Sequence, residues 1–244
     1  MKLIKGWNKG IIHPLTFIYL GLSYFTCCTH EYIATLIFVL LHEMGHLFMA
    51  CCFHYQINQV KVLPFGAFLS LDDYGYHFVY EDIMVVCGGL FVSLLMMLIC
   101  YFTGYEFFYT INRAIFIFNL LPIYPLDGAK LALLLMSYFL DYLSCLKMQI
   151  KFSLLTLCIC FVLTHELGKM VVLSYLLIQN IDYLKNYRYV YIQTILHDKM
   201  KKRKYKINRK VTYYRPYQNF YLFETKSYSF DEMKFYLIKS MKKR

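Results

Sequence analysis

The residues of this chain best equipped for chemistry stand at Leu41-His42-Glu43-Met44-Gly45-His46-Leu47, a His-Glu-x-x-His sequence inside an apolar stretch. With 8 His among 244 residues, about 0.007 such motifs are expected by chance, so coincidence is a poor account. On a helix, imidazoles four residues apart share a face and can offer nitrogens to one Zn2+, while the intervening carboxylate reaches the metal-bound water. Two satisfied core polar residues would be the bland alternative, but ionisable groups within a membrane span are costly. His165-Glu166-Leu167-Gly168-Lys169 begins alike and then has Lys where the second His should stand, so it reads as a loop.

A catalytic zinc site normally takes three protein ligands and leaves one position for water. Candidates beyond the pair are His13, His30, His54, His77 and the carboxylates Asp72, Asp73, Glu81, Asp82, Glu106, Asp127, Asp141 and Asp182. Most fall in expected loops, where solvation explains them. Asp127 differs because it ends Asn119-Leu120-Leu121-Pro122-Ile123-Tyr124-Pro125-Leu126-Asp127-Gly128. Two prolines there would kink or unwind a helix and open backbone polar groups, and a carboxylate at such an apolar break is explained if it meets a cation.

The elements that must position these residues are set by an apolar composition: 59% hydrophobic, 19% aromatic and only 17% charged. A soluble globular domain of this length could not hide that surface, and disorder is excluded. Residues 1–197 hold 11 basic and 11 acidic groups, whereas residues 198–244 hold 15 and 4, so the body is neutral and nucleic acid is not an expected partner. The nine cysteines lie in apolar runs without paired zinc-type spacing and read as small buried hydrophobes. Lys2, Lys5 and Lys9 precede an apolar run that lacks a small-residue cleavage site, so it reads as a retained first membrane helix.

Runs free of charge predict an all-α membrane protein of about six transmembrane helices, near 11–28, 32–53, 83–103, 107–126, 149–165 and 169–184. Lys61, Lys130, Lys147, Lys151, Lys185 and Arg188 fall in loops that alternate to one side, which places both termini in the cytoplasm, although Lys169 runs against the trend. Residues 57–71, β-branched and aromatic around Pro64-Phe65-Gly66, predict a membrane-associated β-hairpin between the second and third helices. Such backbone must lie against other helices or line a wet cavity. The segment 130–145 is apolar but broken by Asp141 and is expected along the inner membrane surface. Residues 199–210, KMKKRKYKINRK, carry eight basic groups and suit anionic headgroups.

HEMGH at 42–46 on a membrane helix, followed by NLLPIYPLDG at 119–128 in the N-x-x-P-x-x-x-x-D-G pattern, resembles the site-2 protease family of intramembrane zinc metalloproteases. The similarity covers roughly residues 1–195. It implies His42, His46 and Asp127 as ligands of a Zn2+ cofactor and Glu43 as general acid/base. Asn119 and Pro122 are implied in positioning substrate, with Phe65 and Gly66 in a hairpin that offers an edge strand. The resemblance extends to the sporulation branch of the family, which frees a sigma factor from a membrane-bound precursor at the outer forespore membrane. Its implied partners are a membrane-associated protein substrate and inhibitory membrane proteins, and the likeness leaves room for an oligomer.

Two features depart from the family. Many relatives carry Gly-Pro and then Asn on the third helix, where this chain has Gly88-Gly89 and Val92. The sporulation members usually end in a nucleotide-sensing CBS domain, whereas here a basic linker over 196–210 leads to a short tail, 211–244. That tail is expected as a reduced strand-strand-helix fragment over 211–214, 219–223 and 230–241. Three other functions compete: a prenyl-protein-type zinc protease, which would require a downstream Glu ligand; a catalytically inactive scaffold; and a transporter, for which no repeat is visible.

Overall fold

A computed structural model describes residues 29–63, 66–71, 77–164, 166–198, 203–223 and 226–241. The expected first helix over 11–28, and Pro64 and Phe65 in the hairpin, lie outside the described residues. Two compact units divide the chain, one of residues 1–74 and 81–120 and the other of 75–80 and 121–244.

The first unit holds helix α1 (Thr29–Cys52), strands β1 (Ile57–Leu63) and β2 (Gly66–Leu71), most of helix α2 (Val79–Phe102) and helix α3 (Glu106–Leu120). Helix α1 buries Ala34, Phe38, His42, Gly45, His46 and Ala50, a helical stripe that places the metal-type pair on its inner face. The helix ends at His54, whose φ of 60° is left-handed, while Tyr55 N–H donates to the Ala50 carbonyl (2.9 Å) and His54 N–H to that of Cys51 (3.1 Å). This is a Schellman closure of the last carbonyls. The expected hairpin is present as an antiparallel pair in which Leu63 faces Gly66 and Val60 faces Leu69, with an irregularity between Ile57 and Gln59. Strand β2 runs beside α1.

Helices α1 and α2 cross at Gly45 and Gly88, where a Cβ on either glycine would strike the other's backbone carbonyl. Small residues permit this approach, as in membrane helix pairs generally. Gly88→Val should therefore force the helices apart and cost about 1–3 kcal/mol or more, read as a lower unfolding midpoint of the purified protein in detergent.

In the second unit, α4 (Asp127–Met136), α5 (Tyr142–Leu163) and α6 (Leu167–His197) precede strands β3 (Tyr205–Asn208), β4 (Gln218–Phe223), β5 (Lys226–Tyr228) and helix α7 (Phe230–Met241). Several boundaries differ from expectation. The helix expected over 107–126 stops at Leu120 because Pro122 and Pro125 cannot continue it. The helix expected from 149 begins at Tyr142 because Asp141 caps it, its carboxylate accepting from Ser144 N–H (3.2 Å). Helix α6 runs 31 residues, past the expected end at 184. Its apolar part was legible, but the polar turns beyond Lys185 were not.

The tail sheet has the order β3-β4-β5, with β3 parallel to β4 and β5 antiparallel to it. Residues 211–214 are not a strand: Tyr213 is buried, and its carbonyl accepts from Tyr142 N–H (2.8 Å) at the start of α5. The first strand instead comes from the basic run, at Tyr205–Asn208. Tyr221 of the sheet, Tyr213 before it, and Met233 and Leu237 of α7 share one apolar cluster with Tyr142, Leu146 and Ile195. Beneath it, Asp198 accepts from Arg203 (2.9 Å) and from the Tyr213 hydroxyl (2.6 Å). Burial, with the Asp198 charge second, pushes the Tyr213 phenol well above its usual pKa.

Three described helices, α1, α2 and α5, are long and apolar enough to cross a membrane. Their outward faces carry large apolar side chains such as Phe48, Phe91 and Leu155, which lipid accommodates and water does not. Helix α3 has only 15 residues, and α6 carries Lys169, Asp182, Lys185 and Arg188. The protein is thus a mostly helical membrane protein with small β-elements. Among the described cysteines only Cys100 and Cys145 are buried, while Cys51, Cys52 and Cys158 face outward. The expectation of uniform burial fails because helices in lipid can direct small apolar side chains to either side.

Candidate metal centre

On α1, His42 and His46 stand one turn apart with their Nε2 atoms 3.1 Å from each other and their rings nearly perpendicular. Helix α2 orients both. His46 Nδ1 lies 2.8 Å from the Val85 carbonyl. A carbonyl only accepts, so the ring proton sits on Nδ1 and Nε2 is left as a lone-pair donor. His42 Nδ1 is 2.9 Å from the Ser93 hydroxyl, and Asn112 Nδ2 donates to the Ser93 carbonyl at 2.7 Å. Both histidines therefore turn Nε2 to the same place, and both are at least nine-tenths buried. A Cβ on Gly89 would overlap the His46 ring, so that glycine makes room for the imidazole.

Asp127 opens α4 after the irregular segment 121–126 and is 5% exposed. Lys130 Nζ donates to its Oδ1 at 2.9 Å, a charge-assisted bond that orients the carboxylate. Among the described residues, the buried His42, His46 and Asp127 make up a donor set that could hold a metal ion. Two imidazoles and a carboxylate are a zinc donor set, and three protein ligands leave a position open. Glu43 is next to His42 on α1 and partly buried.

The other expected residues fall as follows. Asn119 is in the last turn of α3 and spends its amide on the Ile115 carbonyl (3.2 Å). Pro122 is in the break that follows. Gly66 opens β2 opposite Leu63. Asp82, named only as one loop carboxylate among many, is fully buried in the first turn of α2 and accepts from the Tyr55 hydroxyl (2.7 Å).

Sequence reasoning missed Ser93. Gly88-Gly89 and Val92 mark where this helix departs from many relatives, and a polar contact comes one residue after Val92 and goes to a histidine. A lone Ser in an apolar run was the available signal. Ser93→Ala should weaken metal binding about tenfold, the lower range for a partner that orients a ligand, measured by competition with a chromophoric chelator.

Residues 31–107 match the family model described as Peptidase family M50. Among curated proteins, the chain is similar to Stage IV sporulation protein FB of Bacillus subtilis (strain 168), at 27% identity over 202 residues, covering 76% of this chain and 69% of that protein. It is also similar to the zinc metalloprotease MJ0392 of Methanocaldococcus jannaschii, at 26% identity over 128 residues, covering 48% of this chain and 37% of that protein. The fold resembles that of the solved Site-2 Protease from Methanocaldococcus jannaschii, with a TM-score of 0.50, 20% identity, and coverage of 70% of this chain and 85% of that one.

Proposed function

We propose that the chain is an intramembrane zinc endopeptidase that cleaves a membrane-associated precursor near the cytoplasmic face. The observation that carries this reading is the buried His42, His46 and Asp127 group, with Glu43 beside it on an apolar helix. His42 and His46 would hold the metal through Nε2, and Asp127 through a carboxylate oxygen. Zinc bound there supplies a Lewis acid that polarises the scissile carbonyl and lowers the pKa of water towards ~7. Glu43 would accept one proton from the attacking water as the water oxygen bonds to the carbonyl carbon, and would then pass that proton to the amide nitrogen as the C–N bond breaks. A prenyl-protein-type site is not favoured, since its third ligand would be a Glu.

Peptide in a helix has its carbonyls bonded and shielded, so the substrate must be unwound at the scissile bond. The β1–β2 hairpin would offer an edge to such a segment, Phe65 and Gly66 being the residues proposed to meet it, and Asn119 and Pro122 would border it. The likeness to the sporulation protein supports a sigma-factor precursor as substrate and residues 1–195 as the protease domain, and the placement of basic residues supports a cytoplasmic setting for both termini. Anionic lipid at the basic residues of 199–210 and regulation by membrane-bound inhibitors belong to the same reading.

Co-expression with membrane-tethered sigma-factor precursors tests it. A shortened, released product from the intact protein is expected, and no processing of any such precursor would remove the substrate assignment.

A further inference from the structure

The loop that carries Asp127 is held by side chains that neither the His-Glu-x-x-His motif nor the proline-rich run accounts for. Segment 121–126 is irregular, so its backbone groups cannot be satisfied within a helix, and in an apolar setting they need other partners. Both polar groups of Tyr124 find them. Its N–H donates to Ser153 Oγ (2.9 Å), and its carbonyl accepts from Asn180 Nδ2 (2.7 Å). The Ser153 hydroxyl donates on to Asn180 Oδ1, and Asn180 Nδ2 also donates to the Leu176 carbonyl (2.8 Å).

On the other side of Asp127, the Ala129 carbonyl accepts from Gln149 Nε2 (3.0 Å), and Gln149 Oε1 accepts from the Tyr183 hydroxyl (2.9 Å). The Tyr183 ring closes the set by stacking on Tyr124, with centroids 4.1 Å apart and planes at 8°. Gln149 and Ser153 are four residues apart on α5, and Asn180 and Tyr183 three apart on α6, so each pair shares a helix face. Ser153 and Asn180 are fully buried and Gln149 is 3% exposed. Helix-to-helix glue alone would need only bonds between α5 and α6, yet here three bonds go to the backbone flanking Asp127, at Tyr124 and Ala129.

We propose that Ser153, Asn180 and Gln149 are positioning residues for Asp127, fixing the loop and the first turn of α4 so that the carboxylate is preset for the metal. The inference rests on the reading above in which Asp127 is a zinc ligand.

The test uses the full chain in lipid nanodiscs. Zinc affinity is measured by chelator competition for Asn180→Leu and Ser153→Ala, each alone and in an Asp127→Ala background, with amide hydrogen exchange over residues 123–130. Each clamp variant is expected to weaken zinc about tenfold, to speed exchange in that segment, and to cause no further loss once Asp127 is gone. Unchanged zinc affinity in both clamp variants would overturn the proposal, as would an equal additional loss in the Asp127→Ala background. If Asp127→Ala itself leaves zinc affinity intact, the ligand set fails and the positioning role with it; zinc lost with Asp127 but unmoved by the clamp variants sinks the clamp alone. Should Asn180→Leu not fold, Ser153→Ala removes a single hydroxyl and decides the matter.

Discussion

Replacing Glu43 with Gln should abolish peptide-bond hydrolysis and leave the zinc content of the purified protein unchanged. Gln keeps the volume and reach of the side chain but cannot accept a proton, and general acid–base catalysis contributes ~10²–10⁴ in rate. Turnover should fall at least a hundredfold. The metal should stay because the donor atoms proposed for it lie on His42, His46 and Asp127, none of which the substitution touches. The paired measurement matters more than either alone: metal analysis together with release of a soluble fragment from a tethered precursor. A Gln variant that cleaves at the wild-type rate would remove Glu43 from the chemistry, and one that loses zinc would make it a ligand instead of a base.

Much of the centre was legible because its chemistry is local in sequence. His42 and His46 share a helix face by spacing alone, and the break at Pro122 and Pro125 marks Asp127 as a carboxylate out of place in an apolar run. Their buried grouping is a property of the fold that spacing could nominate but not establish. The supporting contacts were not legible, since they join residues far apart in the chain: Ser93 to His42 across 51 positions, and Asn180 to Tyr124 across 56. Nothing near Ser93 or Asn180 announces a partner.

Helix limits failed where polarity, and not apolar content, decides them. Charge-free runs locate the part of α6 that lipid could cover, but its final turns carry Lys185 and Arg188 and are held by the tail through Tyr191 and Ile195. The strand at Tyr205–Asn208 was hidden by the basic residues that surround it. Its pairing with Gln218–Phe223 brings Asn208 close to Asn219, with Asn208 Nδ2 donating to Asn219 Oδ1 (2.9 Å). Lys206 stands 3.3 Å from the Tyr214 ring centre, an electrostatic attraction to the ring face, and burial lowers its pKa. A run that composition assigns to solvent or headgroups is therefore partly built into a small folded layer.

The second large effect should separate two aspartates that are similar by composition and different by place. Asp127→Ala removes a buried donor from the metal group and its bond with Lys130. Zinc affinity should fall by more than the ~10–100-fold typical of a residue that merely orients a ligand, and turnover should fall with it. Asp141→Ala should leave zinc affinity unchanged, because that carboxylate is spent on Ser144 N–H and Oγ at the N-cap of α5. Losing such a cap costs about 1 kcal/mol of stability, so the Asp141 variant should melt earlier and still cleave. The sequence placed Asp141 in an interfacial segment; its capping role makes the expected result of its loss a stability effect alone. If zinc stoichiometry survives the loss of Asp127 and drops instead with Asp72 or Asp73, the third ligand lies in the segment after the hairpin. The clamp on the Asp127 loop would then serve structure only.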